Sequence, residues 1–134
     1  MRPGLLDTST LILLGRVTDP SELPDIPSIS AVTLAELSVG PLVAKSPEER
    51  AARQAHLQLA EADFDPIPFD SAAARAFAQV ALSLRDAGRK PTARAFDALI
   101  AATAISRDLP LHTCNPAVFE GIPHLDLRPV SVSV

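Results

Sequence analysis

Residues 96–104 read FDALIAATA, an apolar segment that contains a single acid, Asp97. The residues three, four, seven and eight places after that acid are all apolar, so Asp97 lies on the apolar stripe of a predicted helix. A carboxylate on such a stripe points towards the core rather than towards water. The segment therefore predicts a largely buried helix that carries an acid for a reason other than solubility.

Outward from this helix, short apolar segments alternate with helical ones. A hydroxyl residue after Asp7 is expected to cap the first helix, and the pattern Ser46-Pro47-Glu48-Glu49 is a capping box that opens the third. We predict strands over 4–6, 28–30, 64–68, 109–113 and 125–127. We predict helices over 11–14, 31–44, 47–62, 71–86 and 93–106, with Thr92 at the start of the last one. This alternation predicts a three-layer α/β/α sandwich with a mainly parallel central sheet, whose ligands bind at the carboxyl ends of the strands.

The length of 134 residues fits a single domain over residues 1–134, with a loose tail after about residue 129. One cysteine allows no internal disulfide and excludes a cysteine-rich zinc site. No signal peptide or membrane span is evident, and we expect a cytoplasmic protein. The net charge of −4 means that any binding of nucleic acid needs a local basic patch or metal ions.

Two further acids resemble Asp97 in their surroundings. Glu36 is flanked by Val32 and Val39 at helical spacing, and Asp7 ends the first strand at the edge where ligand sites form. No Lys or Arg lies on the apolar stripes of Glu36 and Asp97 to neutralise them. Carboxylates in apolar surroundings are costly, and a shared cation removes that cost. Hard oxygen ligands without His or Cys favour Mg²⁺ or Mn²⁺.

Asn115 follows the strand over 109–113 and should reach the same edge of the sheet as Asp7. Its amide oxygen is a further ligand for a weakly held cation or its water. The alternative for each acid taken alone is structural, as a helix N-cap or as a buried hydrogen-bond acceptor. Asn-Pro is likewise an ordinary turn signal.

At these residues the sequence resembles the PIN-domain ribonucleases of the VapC toxin family. The resemblance covers essentially the whole chain, in order, spacing and length. It rests on Leu5-Leu6-Asp7-Thr8-Ser9, Ala35-Glu36-Leu37 with Gly40, Asp97 to Ala104, and Thr113-Cys114-Asn115 before Phe119.

The resemblance implies a Mg²⁺- or Mn²⁺-dependent endoribonuclease that cleaves RNA, often transfer or ribosomal RNA. It also implies a homodimer and a cognate VapB-type antitoxin whose tail covers the acidic pocket. Asp7, Glu36 and Asp97 fall on the family's acidic triad, and Asn115 on a fourth position that is often Asp. Ser9 and Thr113 fall on supporting positions. Relatives often carry one more acid where residues 116–118 are Pro, Ala and Val.

RNA must still be attracted to an acidic protein. Four basic residues precede the Asp97 helix and would form a local RNA-binding strip: Arg85, Arg89, Lys90 and Arg94. The alternative is that they are the solvated end of a helix and its loop.

Two other functions remain open at this stage. One is a degenerate PIN domain that binds an antitoxin without catalysis, which the altered 115–118 segment favours. The other is a small-molecule phosphohydrolase of the haloacid-dehalogenase type. That chemistry usually needs a second Asp two residues after the first, where this chain has Ser9.

Overall fold

The computed structural model describes residues 1–90 and 94–134. Short 3-10 turns connect several of the elements, and the expected helix start at Thr92 and Ala93 lies outside the described residues. The strands and helices are β1 (Pro3–Leu6), α1 (Thr8–Ile12), β2 (Ile26–Ser28), α2 (Ala31–Val39), α3 (Pro47–Asp63), α4 (Ser71–Asp86), α5 (Ala95–Ser106), β3 (Leu111–Thr113) and β4 (Leu127–Pro129).

The four strands form a parallel sheet in the order β2-β1-β3-β4. The chain leaves β1 for β2 on one side and later returns to place β3 on the other side of β1. The order therefore reverses between β1 and β3, and in an open parallel sheet this point forms a crevice at the carboxyl ends of the two strands.

Helices cover both faces of the sheet. Leu5 and Leu6 are neighbours on β1 and point to opposite faces, because side chains alternate along a strand. Leu5 packs in a cluster with residues of α4 and α5, such as Leu84 and Ile100. Leu6 packs in a second cluster with residues of α1, α2 and α3, including Leu37. The predicted α/β fold with a parallel sheet and three layers is therefore confirmed.

The cap of the first helix differs from the expectation. Asp7, and not a hydroxyl residue, is the N-cap of α1: its backbone is extended and its side chain accepts from the Thr10 backbone N–H. The hydroxyl residues Thr8, Ser9 and Thr10 lie within the helix, which begins three residues earlier than predicted. Asp is as good an N-cap as Ser.

Prolines explain two other differences. Residues 64–68 form no strand, because Pro66 and Pro68 have no N–H to donate. Only Ile67 pairs there, through a bridge to Ser30. The helix predicted over 31–44 ends at Val39, and the chain continues as a 3-10 turn, Gly40–Val43, since Pro41 has no N–H to donate to the carbonyl oxygen one helical turn earlier.

Three strands are shorter than or displaced from the predicted ranges. Strand β2 covers Ile26–Ser28 rather than 28–30, and β3 covers Leu111–Thr113 rather than 109–113. Strand β4 is two residues later than predicted, because Leu127 is the residue that pairs with Leu111. Strand ends depend on hydrogen-bonded register, which the local sequence does not encode.

The segment after Pro129 does not form the loose tail that the sequence predicts, because it packs against the body of the protein. Val130 is buried, and its N–H donates to the Thr113 carbonyl oxygen at 2.8 Å. The Ser131 N–H donates to the Glu22 carboxylate, and Val132 forms an antiparallel bridge with Val17. The alternation of Val and Ser over residues 130–134 is a strand-like signal that sequence reasoning missed, although it does not identify the partner segments.

Within residues 1–90 and 94–134, none of the helices combines the length and apolar character needed to cross a bilayer.

Gly4 gives a test of this packing. A Cβ at Gly4 would lie 2.6 Å from two atoms of the His112 ring and 2.8 Å from Pro24 Cβ. The ring is buried, and its Nδ1 lies 2.8 Å from the Glu22 carbonyl oxygen, so it has little room to move. We expect Gly4→Ala to lower the free energy of unfolding by about 1–3 kcal/mol in urea titrations.

The matched control is Gly15→Ala, where an added Cβ meets nothing within 4 Å. It should leave the stability unchanged or raise it by up to about 1 kcal/mol. Equal effects of the two substitutions would contradict the close approach of β1 to His112.

Candidate functional site

The carboxyl ends of β1 and β3 carry polar side chains at the reversal point of the sheet. Asp7 directly follows β1, and Asn115 follows β3 after Cys114. Two helices bring further acids to the same place, Glu36 from α2 and Asp97 from the first turn of α5. All four side chains line one cavity of about 280 Å³, together with Thr8, Ser9, Ile12, Val118 and Phe119.

Asp7 is held by four donors. Its Oδ1 accepts from the backbone N–H of Thr10 at 3.0 Å and from the Thr10 hydroxyl, while its Oδ2 accepts from Thr113 at 2.7 Å and from Ser9 at 3.2 Å. The residue is only 3% exposed. Charge-assisted bonds of this kind stabilise a buried carboxylate and fix its position.

Glu36 is held by one hydroxyl. Its Oε1 accepts from Thr8 at 2.7 Å, and the Thr8 hydroxyl also lies 3.0 Å from the hydroxyl of buried Thr33. Partial burial raises the pKa of Glu36 above its ordinary value. The Thr8 hydrogen bond opposes that rise, and the negative charges of Asp97 and Asp7 add to it.

The pKa of Asp97 is also raised. Burial raises the pKa of its carboxyl group, and the charge of Asp7 raises it further. Arg94 acts in the opposite direction, with its Nη1 at 3.9 Å from Asp97 Oδ2. The Arg94 side chain is 62% exposed, so the screened ion pair offsets only a part of the effect.

The acids line one cavity but are not gathered into a complete metal site. Among the residues that the structure describes, no three His, Cys, Asp or Glu side chains are close enough to form a complete set of metal ligands. Besides burial, the charges of Asp97 and Asp7 raise the pKa of Glu36, and the charge of Asp7 raises the pKa of Asp97. The carboxylates would therefore have to move inward to share one ion.

A divalent cation fits the chemistry of this donor set. Three carboxylates and one amide offer only hard oxygen ligands, which Mg²⁺ and Mn²⁺ prefer. A cation at the centre would also oppose the two effects that raise the pKa values of Glu36 and Asp97. The four hydrogen bonds to Asp7 use its roughly four acceptor sites, so a cation would gain a lone pair there when a hydroxyl donor such as Ser9 rotates away.

The other predicted residues have distinct places. Ser9 and Thr113 both donate to Asp7, and Thr113 also accepts from the Asn115 backbone N–H at 3.0 Å. Asn115 is exposed, and its side chain forms part of the cavity wall. Cys114 lies with its Sγ at 3.4 Å from the Ser9 hydroxyl.

The four basic residues of the predicted RNA-binding strip do not all lie at the same cavity. Arg89, Lys90 and Arg94 line a second cavity of about 480 Å³ beside the acidic one, but Arg85 is not among its lining residues. The Arg89 guanidinium is partly used in the fold, because its Nη1 donates to the carbonyl oxygens of Val118 and Glu120 at 3.3 Å each.

Sequence reasoning missed two residues that position the acids. Thr8 holds Glu36, and buried Thr10 donates to Asp7 while accepting from the Cys114 backbone N–H at 3.0 Å. Thr10 thereby joins the ends of β1 and β3. The available signal was the run of three hydroxyl residues after Asp7, which by itself predicts only helix capping.

Comparison with known proteins adds to this geometry. The family model described as the PIN domain matches residues 5–124, which is most of the chain. The chain belongs to the PIN-domain family.

Individual relatives agree with this assignment. This PIN-domain chain is 43% identical over 112 residues to Ribonuclease VapC5 of Mycobacterium tuberculosis, covering 82% of this chain and 81% of that protein. It is 37% identical over 101 residues to Ribonuclease VapC8 of the same organism, covering 75% and 89%.

A solved structure matches as well. The crystal structure of VapBC-5, a member of the VapBC family of toxin-antitoxin systems from Mycobacterium tuberculosis, superposes with a TM-score of 0.83. The match has 37% sequence identity and covers 97% of this chain and 100% of that one.

The raised pKa of Asp97 predicts how stability depends on pH. The folded protein holds this proton more tightly than the unfolded chain does, so stability falls as the pH rises from the ordinary carboxyl pKa through the raised one. The amide of an asparagine at this position would carry no charge at any pH. We therefore expect Asp97→Asn to raise the Tm of the metal-free protein at about pH 7 and to weaken its dependence on pH, as measured by calorimetry.

The control is Asp63→Asn, at the exposed end of α3. It should leave the pH dependence as in the unaltered protein. A lower Tm for Asp97→Asn under the same conditions would mean that the contact with Arg94 outweighs burial and repulsion.

Proposed function

We propose that this PIN-domain protein is a Mg²⁺- or Mn²⁺-dependent endoribonuclease, the toxin of a toxin–antitoxin pair that a VapB-type antitoxin neutralises. The observation that carries the proposal is the meeting of three acids from β1, α2 and α5 at one cavity beside Asn115. The names of its relatives, ribonucleases VapC5 and VapC8, support the same activity.

In this proposal Asp7, Glu36 and Asp97 hold the cation. A divalent cation bound there supplies charge neutralisation for the phosphodiester oxygens and lowers the pKa of a coordinated water. The hydrogen bonds from Thr10, Thr113 and Thr8 hold Asp7 and Glu36 at the cavity wall before the RNA arrives. Once the carboxylates have moved inward onto the cation, groups fixed in this way need not reorganise during the reaction.

Asn115 would contact the RNA from the β3 side of the cavity. Its exposed amide offers two N–H donors to a phosphate oxygen and one oxygen acceptor to a coordinated water. It adds no negative charge next to the phosphate, which an acid at this position would do. Arg94 and Lys90, beside the acids, would attract the RNA backbone.

The partners in this proposal are an RNA, with transfer or ribosomal RNA as the expected class, the antitoxin, and a second copy of the chain in a homodimer. The structural relative VapBC-5 is a member of a family of toxin-antitoxin systems, which supports the antitoxin partner. We propose that the protein and these partners act in the cytoplasm.

The acidic site is tested by Glu36→Gln. The amide keeps the size of the side chain and an oxygen that accepts from Thr8, but it removes one charge from the proposed cation site. We expect Mn²⁺-dependent cleavage of RNA to fall at least about a hundredfold, as is usual when one group that stabilises transition-state charge is lost. Calorimetric titration with Mn²⁺ should show weakened binding.

Glu61→Gln on exposed α3 is the control and should cleave like the unaltered protein. Unchanged cleavage by Glu36→Gln would contradict the proposed site. Mn²⁺ binding without any RNA cleavage by the unaltered protein would instead favour the degenerate, antitoxin-binding alternative.

The basic residues make a second prediction. Lys90 is exposed and lines the cavity beside Asp97, so Lys90→Ala should weaken binding of a single-stranded RNA and reduce the slope of log affinity against log salt by about 0.7. Lys45→Ala, which alters an exposed lysine at the amino end of α3, is the control with an unchanged slope. Equal salt slopes for the unaltered protein, Lys90→Ala and Lys45→Ala would show that Lys90 does not contact the RNA.

A further inference from the structure

The second cavity has two unlike surfaces. Its inner wall consists of buried side chains of the core, Leu84, Ala98, Phe119 and Ile122. Its rim carries the cationic side chains of Arg89, Lys90 and Arg94. A space of about 480 Å³ with an apolar wall and a cationic rim suits a ligand that joins an apolar-faced group to an anion.

This cavity adjoins the acidic one. Four residues form a wall common to both: Asp97, Asn115, Val118 and Phe119. A chain molecule whose phosphate lies against Asn115 and Asp97 would therefore have the larger space beside it.

We propose that the larger cavity is a nucleotide subsite, which takes the base next to the scissile phosphate against its apolar wall and the adjoining phosphate on its cationic rim. The inference rests on the proposed function and goes beyond it by assigning the neighbouring space. A nucleotide combines a flat base, whose face is largely apolar, with one negatively charged phosphate. The base matches the apolar wall of the cavity, and the phosphate matches its cationic rim.

Arg89 helps to shape this subsite. Its bonds to the Val118 and Glu120 carbonyl oxygens tie the segment after α4 to the turn that follows β3. The turn carries Val118 and Phe119, which belong to both cavities. The guanidinium is thus held at the rim, with its remaining N–H groups available to a phosphate oxygen.

Ala117 offers a test that leaves the acids alone. It lines the larger cavity but not the acidic one, and it is exposed at the mouth, so a larger side chain can be added without entering the core. The variants are Ala117→Val and Ala117→Leu, which fill the mouth in two steps. Ala62→Leu, at an exposed position of α3, is the matched control.

The probes are two fluorescein-labelled strands of about eight nucleotides, one an ordinary single-stranded RNA and the other made entirely of abasic ribose phosphates. Binding is followed by fluorescence anisotropy, with Ca²⁺ in place of Mn²⁺ to suppress cleavage. The unaltered protein should bind the ordinary strand about tenfold more tightly than the abasic one, which is within the range of a single bound base.

Ala117→Leu should remove most of this difference by weakening the ordinary strand alone, and Ala117→Val should remove a smaller part. Ala62→Leu should keep the whole difference. If Ala117→Leu weakens both strands equally, or neither, the base does not occupy the cavity. If it abolishes only co-purification of the antitoxin and leaves RNA binding intact, the cavity holds a protein segment, and the inference is wrong.

Cleavage separates this inference from the proposed function. RNA cleavage in Mn²⁺ with equal affinity for the two strands would overturn the subsite alone. A preference for the ordinary strand that Ala117→Leu removes, without any cleavage in Mn²⁺, would overturn the nuclease and leave the subsite in place. No binding of either strand would overturn the subsite, and no Mn²⁺-dependent cleavage of transfer or ribosomal RNA would overturn the nuclease.

Discussion

The cost of burying carboxylates close to one another is the constraint around which this end of the molecule is organised. Asp7, Glu36 and Asp97 come from three elements that are distant in sequence, and each contributes negative charge to one small cavity. Burial, and to a smaller extent the neighbouring acids, raises the pKa values of Glu36 and Asp97, so keeping these groups ionised here costs free energy. The fold tolerates this arrangement because hydroxyl groups bind two of the three acids.

The parallel sheet makes the arrangement possible. Its order reverses between β1 and β3, so the ends of these two strands open into a crevice rather than being covered by a connection. Thr113 and Thr10 link the two strand ends through Asp7 and the Cys114 N–H. The Asp7 side chain therefore serves as helix cap, as strand link and as member of the acidic cluster. It has the structural role of an N-cap and also a place in the candidate site.

Much of this could be predicted from sequence, because it depends on local patterns. The apolar stripe around Asp97 and the polar residues after two strands placed the acids at one edge of the sheet. Other features depend on contacts between distant segments. The pairing of residues 131 and 132 with residues 22 and 17, and the approach of Arg89 to the carbonyls of 118 and 120, cannot be read from the pattern of either segment alone. The role of Thr8 was missed for the same reason, since Glu36 is 28 residues away.

A crystal structure of the protein grown with Mn²⁺ tests the central claim most directly, because the ion is located by its anomalous scattering. We predict a peak in the acidic cavity at about 2.0–2.3 Å from oxygens of Asp7, Glu36 and Asp97, with Glu36 and Asp97 turned inward. A cavity without a peak at saturating Mn²⁺, with Asp7 bound only to its hydroxyl and amide donors and Asp97 only to Arg94, would contradict the account.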